Sequence, residues 1–188
     1  MPPAERVVAV LDADVLVPIL SCDLLLCAFG HDLYQPVVTP MILTEVGRTL
    51  QVDFPHLDQD ALARRADQVV RALAFHTHAD APPTEAVVGV NAKDRHVAAV
   101  ALRAQASLVV SNDRRLRRQI NQLGTPLRAV TSDEFMLGLR QADPDEVDAV
   151  IDTMVAKRTR RPVTRAELLS HLARQFPRFT TAAAERHR

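Results

Sequence analysis

Apolar positions along this chain switch between two spacings. Val7-Val8-Ala9-Val10-Leu11 is a short unbroken apolar run closed by Asp12, which predicts a buried strand over residues 6–12. Val15 to Phe29 is apolar with few polar interruptions and reads as one helix ending near Gly30. Pro36-Val37-Val38-Thr39 predicts a second short strand, and Thr39 with Pro40 forms an N-cap and N1 pair opening a helix. Met41, Ile42, Val46 and Leu50 give that helix a buried side. Leu62, Ala66, Val69, Val70 and Leu73 mark one face of another helix, from about Asp58 to Phe75.

A polar, proline-containing loop follows from His76 to Thr84, then an irregular apolar piece, Ala86 to Val90. Asn91 is positioned to cap a helix over 92–105, with Asp94 at its N3 position. Leu108 to Ser111 predicts a strand, Arg114 to Leu123 a basic helix, and Leu127 to Val130 a last strand. Thr131-Ser132-Asp133-Glu134 is a capping box for a helix over 134–139. The order β-α-β-α-α-α-β-α-β-α implies an α/β fold with a mostly parallel central sheet and helices on both faces. Beyond Gln141 the strands stop. Asp143-Pro144-Asp145-Glu146 opens one helix, Arg158 to Pro162 is a turn, and the capping box Thr164-Arg165-Ala166-Glu167 opens another. The expected organisation is a body over 1–140 and a basic C-terminal helical hairpin over 141–188.

Composition narrows the picture. With 188 residues, 47% of them hydrophobic, one domain with a small appendage can fill its core. Tryptophan is absent and aromatic residues are 4%, so an aliphatic core is expected. Cys22 and Cys27 have no metal-binding or redox spacing and read as a buried, reduced pair. No apolar stretch is long enough to span a bilayer, and the first residues do not form a signal peptide, so a soluble, cytoplasmic protein without membrane contact is expected. The zero net charge conceals an asymmetry. Residues 1–150 carry 14 basic and 20 acidic side chains, and residues 151–188 carry nine and three. The basic segment therefore faces nucleic acid, the body itself, or solvent alone.

The candidate chemistry lies in acids at element termini. Asp12 ends the first strand with Asp14 two residues on, Glu45 sits among apolar neighbours on its helix, Asp94 begins another helix, and Asp113 follows the third strand. Acids scattered in sequence but fixed to strand and helix ends can converge at one edge of a parallel sheet. Such carboxylates repel one another unless a cation is present, which points to a hard divalent ion held by oxygen ligands. Taken singly, Asp12 and Asp113 are as well explained as caps, and Asp94 as a partner of the helix dipole. Jointly they favour a metal site. His76 and His78 lack partner ligands and are read as loop residues.

The string Val8-Ala9-Val10-Leu11-Asp12-Ala13-Asp14-Val15-Leu16-Val17 resembles the opening strand of the PIN-domain ribonucleases. The resemblance continues through Thr44-Glu45-Val46, Lys93-Asp94-Arg95-His96-Val97-Ala98-Ala99-Val100-Ala101 and Val109-Val110-Ser111-Asn112-Asp113-Arg114-Arg115-Leu116, covering roughly residues 6–140. Within that family it resembles the VapC-type toxins of toxin-antitoxin pairs. It implies a three-layer PIN-like fold and hydrolysis of RNA phosphodiester bonds with Mg²⁺ or Mn²⁺. The family's acidic positions fall on Asp12, Glu45, Asp94 and Asp113, with Asp14, Ser111 and Asn112 in supporting places. A homodimer and an antitoxin partner are implied as well.

Arg95, Arg114, Arg115, Arg117 and Arg118 adjoin the acids and are candidates for phosphate contacts, or a solvated face. Two rival readings fit parts of the same sequence. A haloacid-dehalogenase-like phosphatase would use Asp12 as nucleophile and Asp14 as acid or base, but the late glycine and the second late acid of that pattern are missing. A non-catalytic RNA-binding module of the same fold would bind without turnover.

Overall fold

The computed structural model describes residues 6–185. Four strands form one sheet: β1 (Val8–Leu11), β2 (Gln35–Val37), β3 (Leu108–Val110) and β4 (Arg128–Val130). The order is β2-β1-β3-β4 and every pairing is parallel, with Val10 opposite Val37 on one side and Val109 on the other. Successive residues of a strand face opposite sides of a sheet. Ala9, Val10 and Leu11, like Val109 and Val110, are fully buried, so both faces of the central strands are covered.

Between these strands run α1 (Ala13–Leu16), α2 (Ile19–Gly30), α3 (Pro40–Asp53), α4 (Gln59–Ala72), α5 (Arg95–Arg103) and α6 (Arg114–Asn121). The helix expected over Val15–Phe29 is two helices. Pro18 lacks the N–H a continuous helix requires, and the break falls at Val17-Pro18. The helix expected over 92–105 begins instead with a 3₁₀ turn, Ala92–Asp94, and α5 starts at Arg95. Asn91 makes no side-chain cap there. A short 3₁₀ turn, Glu85–Val87, overlaps the start of Ala86–Val90, and that segment forms no strand. Thr39 does cap α3 as expected, its hydroxyl accepting from the Ile42 N–H at 3.3 Å.

The remaining helices are α7 (Ser132–Ala142), α8 (Pro144–Ala156), α9 (Arg165–Leu172) and α10 (Pro177–Glu185). A third helix thus follows the expected hairpin. Both capping boxes form, Thr131 with Glu134 and Thr164 with Glu167. The first residue of α10 is a proline, and its N-terminal amides are capped from far away: Asp133 accepts from Phe179 N–H at 2.9 Å and from Arg178 N–H at 3.3 Å.

The chain parts into two compact units. One holds the residues through Val17 and Gln35–Val130; the other holds Pro18–Tyr34 and the residues from Thr131 on. This differs from a boundary at residue 140, because α2 packs on α8 and α9 within the second unit. There His31, just after α2, lies 2.6 Å from Glu146 Oε1 and 2.9 Å from Thr153 Oγ1. The aliphatic expectation holds for the first unit, where Ala98, Ala99 and Ala101 of α5 are buried with Ile42, Val46 and Leu50 of α3. The second unit concentrates the aromatics instead. Tyr34, Phe135, Phe176 and Phe179 are all buried, with Tyr34 edge-on to Phe135 at 4.9 Å and its hydroxyl donating to Leu25 O at 3.1 Å. Cys22 and Cys27 are buried and unbonded to each other.

Candidate active site

The sheet order places β2 and β3 on opposite sides of β1, so the chain steps one way from β1 to β2 and then back across β1 to β3. A crevice therefore opens beyond the carboxyl ends of β1 and β3, the place where open α/β sheets carry their sites. Asp12 leaves β1 there, its N–H still donating to Val110 O at 3.1 Å, and Ser111-Asn112-Asp113 leaves β3 beside it. Asp12, Asp14, Glu45, Asp94 and Asp113 all line one cleft of about 420 Å³. The four acids expected to converge, and Asp14, therefore share a cavity.

Ser111 is the hub of this arrangement and is fully buried. Its hydroxyl donates to Asp12 Oδ2 at 2.7 Å, stands 3.3 Å from Asp14 Oδ2, and accepts the Asp113 N–H at 3.1 Å. Asp12 Oδ1 accepts from Ala13 N–H at 2.8 Å, so this side chain also caps α1. Asn112 contributes its main-chain N–H, 2.8 Å from Asp14 Oδ2. Asp113 caps α6, its Oδ1 accepting from Arg115 N–H at 2.7 Å and Leu116 N–H at 3.1 Å. The capping reading of Asp12 and Asp113 is thus correct in part, and it is compatible with a second role, because a carboxylate has lone pairs beyond those a cap uses.

The electrostatics are those of crowded acids. Burial, and the charge of Asp94 behind it, raises the pKa of Asp12. Asp14 is pushed up to about 7, by burial first and the Asp12 charge second. Glu45 and Asp94 are raised too, chiefly by burial, with neighbouring acids adding to it. One buried oxygen of Asp14 (Oδ1) and one of Asp94 (Oδ2) have no hydrogen-bond partner. Among the described residues, no three acidic, histidine or cysteine side chains are grouped tightly enough to form a ready-made metal cage. The oxygen-only donor set, the mutual repulsion and the two orphaned oxygens nevertheless fit a hard cation. Mg²⁺ in particular keeps several waters and takes only one or two carboxylates directly.

Pattern reading from acids alone missed His96. It is 8% exposed, and its Nδ1 lies 3.0 Å from the Lys93 carbonyl oxygen, so that nitrogen carries the hydrogen. Its Nε2 is buried without a hydrogen-bond partner, 3.5 Å from Glu45 Oε2. Lys93 Nζ stands 3.7 Å from Asp94. Arg48, Thr49 and Asp53 also line the cleft. Their spacing of three, four and eight after Glu45 puts them on the same side of α3, a signal available in the sequence.

The arginines expected to touch phosphate divide into two groups. Arg95 donates to Val90 O at 2.9 Å and Val88 O at 3.1 Å, and Arg117 to Ser111 O at 2.9 Å, so both brace the backbone around the cleft. Arg114, Arg115 and Arg118 are exposed on α6.

Residues 132–185, which contain α7 to α10, match the family model of the VapC50 C-terminal domain. The match supports a VapC-type PIN-domain toxin family. The acids stand outside the VapC50-like segment. No curated protein matches the chain. Among solved structures, the crystal structure of PAE2754 from Pyrobaculum aerophilum aligns with a TM-score of 0.55 and 19% identity, over 72% of this chain and 90% of that one. That likeness speaks for the fold alone, a PIN-like α/β architecture with a parallel sheet. No helix among the described residues is long and apolar enough to cross a membrane.

Proposed function

We propose that this chain is a metal-dependent ribonuclease, the toxin of a toxin-antitoxin pair, with Mg²⁺ or Mn²⁺ bound among Asp12, Asp94, Glu45 and Asp113. The observation that carries the reading is the gathering of six acids, Asp53 among them, around one cleft at the β1/β3 crevice, four of them with raised pKa. A bound divalent ion supplies charge for the phosphate oxygens and a more acidic water.

The chain's own residues do the rest. Asp12 and Asp94 hold the cation, and Glu45 and Asp113 complete the shell or orient the attacking water. Ser111 fixes the Asp12 carboxylate by its 2.7 Å hydrogen bond, and Asn112 N–H fixes Asp14. His96, backed by the Lys93 carbonyl, stands 3.5 Å from Glu45. Arg114, Arg115 and Arg118 meet the RNA backbone beside Asp113. An antitoxin and a second copy of the chain are the proposed protein partners; the exposed Val52, Leu57 and Phe75 offer such partners apolar surface. The phosphatase alternative still lacks the glycine and the second acid of its late motif, Ser111-Asn112-Asp113-Arg114 standing in that place.

The test is cleavage of a mixed cellular RNA pool by the purified chain in Mg²⁺ or Mn²⁺, beside Asp94→Asn and an EDTA control. Discrete fragments that vanish in both controls are expected. Cleavage that persists in Asp94→Asn sinks the site assignment, and the absence of cleavage by the wild-type chain counts against the activity.

A further inference from the structure

The basic residues of the C-terminal segment, the exposed Arg174 aside, fall into two kinds. Arg140 and Arg165 are largely buried and neutralised: both bond to Asp148, and Arg165 also reaches Asp152 at 2.6 Å. Arg178 faces Glu134 at 3.8 Å. The second kind surrounds the turn between α8 and α9. Lys157, Arg158, Arg160, Arg161 and His171 line an open cleft of about 700 Å³ that has no acid in its wall. Among the described residues, no ion pair involves Lys157, Arg158, Arg160 or Arg161. Arg158 donates one N–H to Met154 O at 2.7 Å, and Lys157 Nζ lies 3.5 Å from Cys27 Sγ, so both are anchored while Arg160 and Arg161 are exposed.

Helix dipoles do not account for this set. A cation at the C-terminus of α8 is favourable, and Lys157 occupies that place. Arg160 and Arg161, however, shortly precede the N-terminus of α9, where positive charge is disfavoured and the Thr164–Glu167 box already satisfies the amides. Four like charges held together without acids repel one another, and a polyanion relieves that repulsion. A wide, open cleft suits a chain of phosphates better than a single small anion.

We propose that this cleft binds the phosphate backbone of single-stranded RNA, as a second RNA contact outside the acidic site. The choice of RNA as the polyanion rests on the ribonuclease reading above. Phosphate contacts of this kind add affinity and hold register without reading sequence.

The experiment measures binding of a fluorescent, unstructured single-stranded RNA to the full chain carrying Asp94→Asn, by anisotropy across a series of KCl concentrations. The comparison is the same chain with Lys157→Gln, Arg160→Gln and Arg161→Gln, with circular dichroism as the fold control. Loss of three contacts should weaken binding roughly tenfold or more near 0.1 M salt. The slope of log affinity against log salt should fall by about 2, at ~0.7 per phosphate for single strands. Arg178→Gln, a cation of the same unit outside the cleft, should change neither.

Equal affinity and slope in parent and triple variant overturn the proposal and leave the cleft to an acidic polypeptide. So does an equal loss in Arg178→Gln, or no RNA binding by the parent. The two readings fail separately. Cleft-dependent binding with no cleavage by the wild-type chain refutes the nuclease, and cleavage with cleft-independent binding refutes this site.

Discussion

Removing a carboxylate from the acidic cleft should make the cation-free protein more stable, and Asp14→Asn is the cleanest case. Asp14 has its Oδ2 bonded to Asn112 N–H and near the Ser111 hydroxyl, while Oδ1 is buried without a partner. Asparagine keeps the accepting oxygen and removes the charge. The pKa of Asp14 is raised from 3.8 to about 7, by burial and then by Asp12. The folded state thus binds this proton more tightly than the unfolded chain does. The associated stability is complete below the unfolded value of 3.8 and is lost as pH rises through about 7. At ~1.4 kcal/mol per unit the full effect is about 4 kcal/mol. Relaxation of the site and the repulsion shared with Asp12 reduce this, and about 2 kcal/mol is expected in practice.

The assay is thermal unfolding by circular dichroism in EDTA, for wild type and Asp14→Asn, at pH 4 and pH 8.5. At pH 8.5 the variant should melt roughly 4–8 °C higher, at about 2–4 °C per kcal/mol for a chain of this size. At pH 4 the two should nearly coincide. A variant destabilised equally at both pH values would refute the reasoning, since the change would then not depend on the ionisation of Asp14.

Two further outcomes follow from particular side chains. Ser111→Ala removes the 2.7 Å donor to Asp12 and the acceptor for Asp113 N–H inside a fully buried site, and should cost about 1–3 kcal/mol in urea denaturation; an unchanged midpoint would show that the hub is dispensable. Asp148→Ala leaves the Arg140 guanidinium, whose side chain is 7% exposed, and that of Arg165 without their shared partner, and should destabilise by about 3–5 kcal/mol. Arg178→Ala, which loses only an exposed pair at 3.8 Å, should lie within about 1 kcal/mol of wild type in the same titration; similar losses in the two variants would contradict the distinction.

Local chemistry was the legible part of this chain. The runs that became β1 and β3, the Thr39-Pro40 start of α3 and the two capping boxes are decided by residues within a few positions of each other. The convergence of the acids was legible too, because each is fixed to the end of an element and a parallel sheet brings such ends together. What escaped depends on distant partners. Pro177 is the one local sign of α10, whose N-terminal amides are capped by Asp133 more than forty residues earlier and not by a neighbouring side chain. His96 looks like an ordinary helix residue until the fold sets it against Glu45. Nor does the sequence tell that Arg95 and Arg117 donate to backbone carbonyls around the cleft.

The two units also constrain how such a protein can change by deletion or fusion. The chain passes between them three times, because Pro18–Tyr34 belongs with the segment that begins at Thr131. Ending the chain at Val130 would leave α2 behind with Leu24, Leu25 and Ala28, all fully buried, stripped of the helices they pack against. The C-terminal helices are therefore not a detachable cassette. Their gain or loss in any lineage must be accompanied by a rewritten α2, and a transplant onto another body must carry that helix with it.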